Sequence, residues 1–439
     1  MGTLFGTSGI RGIFGKELNL DLALKIGKAI GTYLNKGEVV IAHDPRTSSL
    51  AIENCIISGL ESAGISVVRT GMIPTPTLAF AARKLNSVGI MITASHNPAE
   101  YNGVKIWNSD GSAFTSEQED EIEKIIFSGE FKKVPWNLIA KSRSGDFSED
   151  YIQFVTGTVA IPNRFKIALD CGNGACSIIS PLVLEEFAEN LKTIFTETNG
   201  IFPRGLEPSK ENLIKLSQLV RKEKADLGFA HDGDGDRLAL IDEKGNFVSR
   251  DDLLALLMKN ELEGTSGAKI VVPIDTSKLI EDVAADYSAH VIYSKVGDVS
   301  VAQKLKEHSG TFGGEPSGCF IFPKAHMCPD GILSALKILE FLSTEGRKVS
   351  ELVAELPKYH TIREVIKVRS ESEKSKTYSK LSKKLKGLRP QKVSSIDGTR
   401  ADFSDGWILV RPSGTEPKVR ITVEAKTTKR AKELLKKVI

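Results

Sequence analysis

Short apolar runs and amphipathic stretches alternate along most of the chain. A run such as Val88–Ile92 is rich in β-branched and aliphatic residues, which predicts a buried strand. A stretch such as Asp21–Leu34 places apolar residues at helical spacing, which predicts a helix with one buried face. The order strand, helix, strand, helix, strand occurs three times, with strands predicted at Glu38–Ala42, Ile65–Arg69 and Val88–Thr93, at Phe165–Leu169, Lys192–Phe195 and Leu227–Ala230, and at Lys269–Pro273, His290–Tyr293 and Gly310–Phe312.

These three rounds predict three related α/β domains. The tail then changes character, because a Lys/Ser-rich helical stretch at Tyr378–Leu388 precedes two strands at Trp407–Val410 and Val419–Val423. In each round, the third strand runs into the most unusual loop of that round. Since ligands of α/β sheets gather beyond the carboxyl ends of the strands, we expect the three loops to face one cleft.

Composition and charge exclude several classes of protein. With 439 residues, 41% of them hydrophobic, the chain can bury several cores. The net charge of +3 is small and aromatic residues are sparse, which argues against a nucleic-acid partner. The five cysteines are scattered without Cys-x-x-Cys spacing, and no apolar run approaches the ~18 residues of a membrane helix. We therefore expect a cytoplasmic protein with no membrane partner; its oligomeric state is not indicated.

The loop Thr93-Ala-Ser95-His96-Asn-Pro98 follows a predicted buried strand and places a hydroxyl on a rigid, exposed elbow. Ser95 is a candidate nucleophile, either activated by a base as in hydrolases or acting as a phosphate carrier. The Gly-x-Ser-x-Gly pattern is absent, which argues against a hydrolase. An ordinary turn is the structural alternative.

The segment Asp232-Gly-Asp234-Gly-Asp236-Arg237 is the strongest single signal. Three carboxylates at alternate positions can surround one cation that prefers oxygen ligands. An EF-hand is excluded because Arg237 stands at the sixth position and Leu238–Ile241 is predicted to be a strand. A solvated acidic turn is the alternative, but carboxylates packed this closely repel one another unless a cation neutralises them.

Three further loops offer groups that bind phosphates or sugars. The segment Gly9-Ile-Arg11-Gly12 combines a mobile backbone with a guanidinium, which suits an oxyanion, although a flexible tail is equally consistent. Glu315 and Ser317 are suited to sugar hydroxyls, but Gly-x-Pro-x-Gly is also ordinary turn chemistry. A phosphate nest or a plain hairpin loop is predicted at Arg411, Ser413, Gly414 and Thr415.

Taken in order, five of these segments resemble the α-D-phosphohexomutase superfamily: Gly9–Gly12, Thr93–Pro98, Asp232–Arg237, Gly314–Gly318 and Arg411–Pro417. The resemblance covers nearly the whole chain. It implies three α/β domains with mixed sheets and a smaller α+β C-terminal domain around a central cleft. With the repeats, this places the predicted domains at residues 1–148 with the phosphoserine loop, 149–248 with the metal loop, 249–357 with the sugar loop and 358–439 with the phosphate loop.

The resemblance also implies the chemistry. Ser95 would be a phosphoserine that donates its phosphoryl group to a hexose phosphate, and a hexose 1,6-bisphosphate would be the intermediate and activator. One Mg²⁺ per chain would be held by Asp232, Asp234, Asp236 and a phosphate oxygen on Ser95. The groups around the phosphoryl group would be Arg11, Lys105 and Arg237, with His96 shaping the loop. Glu315 and Ser317 would hold sugar hydroxyls, and the non-reacting phosphate would be held by Arg411, Ser413, Gly414 and Thr415.

The sequence is least informative about the sugar. Pro316 and Cys319 depart from the patterns of the superfamily members that act on glucose, mannose or glucosamine phosphates. The segment Lys295-Val-Gly-Asp298 resembles the members that act on glucosamine phosphate, and Asp298 could meet a C2 ammonium or cap the next helix. We predict glucosamine phosphate, with tolerance of glucose and mannose phosphates. A glucose/mannose mutase is the alternative, followed by a phosphatase and a sugar-phosphate binding protein.

Overall fold

Four β-sheets organise the computed structural model, which describes residues 4–6, 9–413 and 417–439. The first sheet has seven strands, namely β1 Phe5–Gly6, β2 Gly9–Ile13, β3 Glu38–His43, β4 Ser66–Met72, β5 Val88–Ile92, β6 Tyr101–Trp107 and β7 Ser142–Ser144. The second consists of β8 Phe165–Asp170, β9 Ala188–Ile194, β10 Leu227–His231 and β11 Leu238–Ile241. The third consists of β12 Lys269–Pro273, β13 His290–Ser294, β14 Phe312–Gly314 and β15 Phe320–Ile321. The fourth consists of β16 His360–Lys367, β17 Lys392–Ser394, β18 Thr399–Phe403, β19 Gly406–Pro412 and β20 Lys418–Ala425.

Helices cover these sheets. In chain order they are α1 Leu20–Leu34, α2 Ser49–Ser62, α3 Thr75–Lys84, α4 Ser116–Ser128, α5 Ser148–Thr156, α6 Ser180–Glu185, α7 Ile214–Glu223, α8 Arg250–Leu262, α9 Leu279–Asp286, α10 Asp298–His308, α11 Gly331–Glu345, α12 Val349–Glu355, α13 Glu371–Gly387 and α14 Thr428–Val438. Among the described residues, no helix has both the length and the apolar character that a membrane-spanning helix requires.

The first three sheets share one strand order. In the first, β4, β3, β5 and β6 are neighbours in that order, so that the first strand of the round lies between the second and third and the fourth lies beside the third. The orders β9-β8-β10-β11 and β13-β12-β14-β15 are the same. In all three, the first three strands pair in parallel and the fourth is antiparallel to the third. The three functional loops are therefore the same structural element, the turn between the third and fourth strands.

Close helix packing explains two glycines inside helices, where glycine normally costs stability. A Cβ on Gly27 of α1 would lie 2.2 Å from the Ile56 carbonyl oxygen of α2. A Cβ on Gly59 of α2 would lie 2.6 Å from the Leu24 carbonyl oxygen of α1. The two helices thus pack backbone to backbone, and together with the buried strand β3 they fix the base from which the Ser95 loop projects.

The C-terminal sheet is antiparallel throughout, with order β16-β20-β19-β18-β17. One face packs on α13 and α14 through residues such as Leu385, Ile408 and Leu434. The other face meets the third domain, where Trp407 and Leu409 pack on Ile274. The predicted fold class, three related α/β domains with mixed sheets and a smaller α+β C-terminal domain, is confirmed. The predicted domain boundaries stay a proposal.

Candidate active site

Ser95 lies in the loop between β5 and β6 and is 1% exposed. Its backbone adopts φ +49°, in the left-handed region that a non-glycine residue rarely adopts. Its Oγ donates a hydrogen bond to Asp232 Oδ2 at 2.6 Å. The His96 Nδ1 atom lies 3.3 Å from the same Oγ. The candidate nucleophile of the first domain is therefore in direct contact with the acidic loop of the second.

The acidic loop is the turn between β10 and β11, and it brings the three predicted carboxylates together. One carboxylate oxygen from each of Asp232, Asp234 and Asp236 lies within 4.8 Å of the other two, and all three residues are buried. Gly233 leaves no room for a side chain, because a Cβ there would lie 2.5 Å from the Ser95 carbonyl oxygen. Gly235 is required by conformation, with φ +78°. The alternation of Asp and Gly thus reflects a loop pressed against the serine loop.

Lys105 of β6 reaches into this cluster from the first domain. Its Nζ donates to Asp234 Oδ2 at 2.7 Å and to Asp236 Oδ2 at 2.8 Å. Burial would lower the pKa of Lys105, but Asp234 and Asp236 outweigh it and raise the pKa. Burial would raise the pKa of Asp234, and the Lys105 ammonium reverses this and lowers it. Lys105 is therefore a charged lysine held in the carboxylate cluster.

The cluster retains capacity for a cation. Burial, with the charges of Asp236 and Asp234, raises the pKa of Asp232 well above its ordinary value. Asp234 Oδ1 is buried and has no hydrogen-bond partner in the structure. One lysine faces three carboxylates, so an oxygen-preferring divalent cation would relieve their repulsion and satisfy the orphaned oxygen. The donor set fits a metal ion of this kind.

Two arginines flank the Ser95–Asp232 contact. Arg11 of β2 donates from Nη1 to Asn97 Oδ1 at 2.9 Å, which places it over the serine loop. Burial lowers the pKa of Arg11, although an arginine stays charged at neutral pH. Arg237 follows the acidic loop and donates from Nη1 to Glu207 Oε2 at 2.8 Å. With Lys105, these residues give the positive surroundings that a phosphoryl group requires.

His96 is a neutral imidazole at physiological pH. Burial, followed by the charge of Arg237, lowers its pKa to about 3. The ring lies 3.9 Å from Glu207 Oε2 and beside Ser95 Oγ. A neutral His96 ring adds no positive charge to that of Arg237, Arg11 and Lys105. Its contacts with Ser95 Oγ and Glu207 are compatible with the predicted role of shaping the loop.

Glu315 and Ser317 lie in the turn between β14 and β15, which meets the acidic loop. Arg237 and Cys319 pair as an isolated bridge between the two turns. Glu315 Oε1 accepts from the Gly297 amide at 2.8 Å and Oε2 accepts from Ser317 Oγ at 3.2 Å. Burial and the neighbouring Asp298 raise the pKa of Glu315 to about 7. Asp298 is the first residue of α10 and Gly297 is its N-cap, so the helix-cap alternative for Asp298 is wrong.

The remaining predicted ligands lie at the third and fourth domains. Lys295 is exposed beside Val296 and Gly297. Arg411 at the end of β19 is paired through Nε with Asp397 Oδ2 at 2.8 Å. Ser413 is buried, and its carbonyl accepts from Lys374 Nζ at 2.8 Å. Gly414 and Thr415 lie outside the described residues.

The structure adds site residues that the sequence patterns did not indicate. Glu207 binds Arg237, pairs with Arg250 and approaches His96, so one carboxylate joins side chains from three domains. Thr75, at the start of α3, donates from Oγ1 to Asp234 Oδ2 at 2.7 Å. Neither residue lies in a recognisable motif, and each acts through contacts with residues far away in sequence.

Comparison with known proteins agrees with this geometry. Domain models described as phosphoglucomutase/phosphomannomutase match residues 2–133 (alpha/beta/alpha domain I), 149–245 (domain II), 249–359 (domain III) and 348–439 (C-terminal domain). A probable phosphoglucosamine mutase from Thermococcus gammatolerans is 44% identical over 439 residues, which are 100% of this chain and 97% of the relative. Another from Methanosarcina acetivorans is 45% identical over 425 residues, covering 96% and 95%. The crystal structure of a phosphoglucomutase/phosphomannomutase family protein from Burkholderia thailandensis matches with a TM-score of 0.89 and 27% identity, covering 100% of this chain and 96% of that one.

The fold and the site together define a phosphotransferase isomerase of the phosphohexomutase type. The domain matches extend this to the whole molecule, from the serine loop to the C-terminal sheet. The chain belongs to the phosphoglucomutase/phosphomannomutase family. The resemblance seen in the sequence motifs and the predicted class of enzyme are confirmed.

Proposed function

We propose that this phosphohexomutase interconverts hexose 6-phosphate and hexose 1-phosphate through a phosphoserine at Ser95, with glucosamine phosphate as the preferred sugar. The observation that carries the proposal is the hydrogen bond of 2.6 Å between Ser95 Oγ and Asp232 Oδ2. It joins the candidate carrier to an acidic loop whose other carboxylates hold Lys105. A phosphoryl group on Ser95 would therefore lie among Arg11, Lys105 and Arg237.

The chemistry follows from this placement. A sugar hydroxyl attacks the phosphorus of phospho-Ser95, the bond from phosphorus to Ser95 Oγ breaks, and the proton lost by the attacking hydroxyl is balanced by protonation of Ser95 Oγ. The product is a hexose 1,6-bisphosphate, which turns over and returns its other phosphoryl group to Ser95. Such transfer depends mainly on alignment and on neutralising charge. Arg11, Lys105 and Arg237 supply positive charge for both transfers.

We also propose Mg²⁺ as the cation of the acidic loop, held by Asp232, Asp234, Asp236 and an oxygen on Ser95. The orphaned, buried Asp234 Oδ1 supports this assignment. When bound, the ion supplies Lewis-acid neutralisation of phosphoryl charge. The Lys105 ammonium lowers the pKa of Asp234 against the effect of burial, and Thr75 fixes the orientation of Asp234.

The sugar is expected in a cavity of about 650 Å³ lined by Lys210, Arg250, Asp275, Glu315, Ser317 and Arg363. That volume suits a small organic ligand. Glu315 and Ser317 would accept and donate hydrogen bonds to the ring hydroxyls, while Arg411, Ser413, Gly414 and Thr415 would hold the non-reacting phosphate. Lys295, which precedes the cavity-lining residue Val296, would add positive charge. The relatives described as probable phosphoglucosamine mutases support the choice of an amino sugar.

Substrate choice is tested with a panel of three sugar phosphates. We expect turnover of glucosamine, glucose and mannose 6-phosphates, with the highest kcat/KM for glucosamine 6-phosphate. An exposed ion pair contributes about 0–1 kcal/mol, so Asp298→Asn should reduce the preference for the amino sugar only about fivefold or less. Isomer formation and free phosphate are measured together, because release of phosphate without isomer would identify a phosphatase. Absence of turnover with glucosamine 6-phosphate would leave the glucose/mannose alternative.

The pKa of Glu315 predicts a pH dependence of sugar binding. Because burial and Asp298 raise this pKa to about 7, Glu315 accepts hydrogen bonds as a carboxylate above that pH and protonates below it. We expect kcat/KM to fall as the pH decreases through about 7. In Asp298→Asn the inflection should move to lower pH, since a neighbouring negative charge is removed. Both enzymes are assayed with the same sugar phosphate, so that titration of the substrate is shared; identical inflections would contradict the role of Glu315.

A further inference from the structure

Arg46 lies beneath the serine loop, just after the end of β3, and is 3% exposed. Every N–H of its guanidinium has an acceptor. Nη2 donates to the carbonyl oxygens of Ser95 at 3.0 Å and Asn97 at 2.7 Å. Nη1 donates to those of Tyr101 at 2.8 Å and Pro98, and Nε donates to Asp44 Oδ2 at 2.9 Å. One side chain thus binds four carbonyls of the loop that carries the nucleophile.

Both backbone polar groups of Ser95 depend on the Asp44–Arg46 pair. The Ser95 amide donates to Thr93 Oγ1 at 2.8 Å, and Thr93 Oγ1 donates to Asp44 Oδ2 at 2.7 Å. The Ser95 carbonyl accepts from Arg46 itself. A left-handed backbone conformation is unfavourable for serine and persists only where several surrounding contacts hold it in place. The pair supplies these constraints at Ser95 without touching its hydroxyl.

The second domain repeats the arrangement under the acidic loop. Arg204 donates from Nε to Asp170 Oδ1 at 2.7 Å, and Asp170 ends the first strand of its sheet as Asp44 follows the first strand of the first round. Arg204 Nη2 donates to the carbonyl of His231, the residue before Asp232, at 2.6 Å. Phe202, two residues from Arg204, lies over the guanidinium of Arg46 at 5.6 Å. The same aspartate–arginine device therefore supports both loops that meet at Ser95 and Asp232.

We propose that Arg46 is a positioning residue for phosphoryl transfer, holding Ser95 in the geometry in which its phosphoryl group is aligned with the sugar hydroxyl. This inference rests on the proposed role of Ser95. No atom of Arg46 points to the sugar cavity, since all five of its N–H groups are bound to the serine loop and to Asp44. Loss of the Arg46 guanidinium should therefore lower kcat and leave KM for the sugar phosphate almost unchanged.

The test compares Arg46→Lys with the wild-type full-length chain. A lysine keeps the charge but provides one ammonium in place of a planar fork that binds four carbonyls. We expect kcat to fall about 100-fold, the order expected for a displacement of roughly 1 Å, with KM within about twofold. Asp44→Asn is a second variant, which leaves Arg46 in place but removes its charged partner, and it should lower kcat in the same direction by a smaller factor.

Arg69→Lys is the matched control in the same domain. Arg69 donates to Glu53 Oε1 at 3.2 Å and to Asn54 Oδ1 at 3.0 Å, and both partners belong to α2 rather than to the serine loop. Arg69→Lys should keep kcat within about twofold, even where its melting temperature changes as much as that of Arg46→Lys. A second readout is the fraction of Ser95 that becomes phosphorylated by glucose 1,6-bisphosphate in a fixed short time, which should fall in Arg46→Lys and not in the control.

The outcomes separate this inference from the proposed function. Wild-type kcat in both Arg46→Lys and Asp44→Asn, or a rise in KM at constant kcat, would overturn the positioning role of Arg46. A fall in kcat that the Arg69→Lys control shares at equal loss of melting temperature would reduce Arg46 to a structural residue. If Ser95→Ala itself retained turnover, the proposed function would fail first, whatever the Arg46 variants show.

Discussion

Ser95→Ala is expected to lose mutase turnover by several decades rather than by a small factor. Removing the Oγ removes the atom to which the phosphoryl group is attached between the two transfers, and no neighbouring group replaces it. The His96 imidazole lies 3.3 Å from Ser95 Oγ and is kept neutral by burial. It is assigned to shaping the loop rather than to carrying the phosphoryl group. The measurement is isomer formation from a sugar phosphate in the presence of glucose 1,6-bisphosphate.

Ser334→Ala provides the control for this substitution. Ser334 is also fully buried, and its hydroxyl donates to the Asp330 carbonyl at the start of α11. It should keep turnover within about twofold, because the change removes one hydrogen bond within the first turn of α11 and leaves the Ser95 hydroxyl in place. Near-normal turnover in Ser95→Ala would show that the phosphoryl group is carried elsewhere.

Removal of the divalent cation is the second change with a large expected effect. We expect excess chelator to abolish turnover and Mg²⁺ to restore it, since the three buried carboxylates lie close together and Lys105 hydrogen-bonds to only two of them. Asp234→Asn should lose turnover by about a hundredfold or more, because the residue contributes both a candidate metal ligand and the partner of Lys105.

Cation binding is measured independently of activity. Mg²⁺ should raise the melting temperature of the wild-type chain in proportion to its binding, and this increase should vanish in Asp234→Asn. Asp242→Asn is the control, since Asp242 holds a turn in the same domain by accepting from the Lys244 and Asn246 amides. Full activity in excess chelator, or an unchanged Mg²⁺ response in Asp234→Asn, would contradict the metal assignment.

The serine and acidic loops could be predicted because each follows a short apolar strand that the residue pattern marks clearly. The predicted strands Phe165–Leu169 and Leu227–Ala230, for example, agree with β8 and β10 to within a residue. The strand before the Glu315 loop, predicted at Gly310–Phe312, lies instead at Phe312–Gly314. Three rounds of the same order were enough to predict that the loops share one edge. The common strand order, in which the first strand lies between the second and third, depends on long-range pairing that no local pattern records.

The supporting contacts were not predictable for the same reason. Arg46, Arg204 and Glu207 stand in ordinary polar segments, and their partners lie far away in the sequence. The bond from Arg46 to the Tyr101 carbonyl, for example, spans 55 residues. The positive φ of Ser95 likewise has no signature in a segment where Asn and Pro predict a turn of any type. Local chemistry therefore indicated the groups that would react, while the groups that orient them became visible only in the folded chain.

The sugar was the least predictable feature because it depends on side chains that converge from separate loops. Asp298 stands at the first turn of α10, and the adjacent Gly297 amide binds Glu315. Two carboxylates thus lie at one side of the candidate sugar site, which is compatible with an ammonium substituent and equally with ring hydroxyls. Kinetic comparison of the sugars decides between them.

The proposed reaction depends most directly on Ser95 as the carrier of the phosphoryl group. The decisive measurement is to incubate the purified chain with Mg²⁺ and glucose 1,6-bisphosphate labelled with ³²P, and to locate the label by peptide mass spectrometry. We expect one phosphoryl group per chain on the peptide that contains Ser95, and its transfer to sugar bisphosphate when unlabelled hexose 6-phosphate is added. Label on another residue, or label on Ser95 that is released only as inorganic phosphate, would contradict the account.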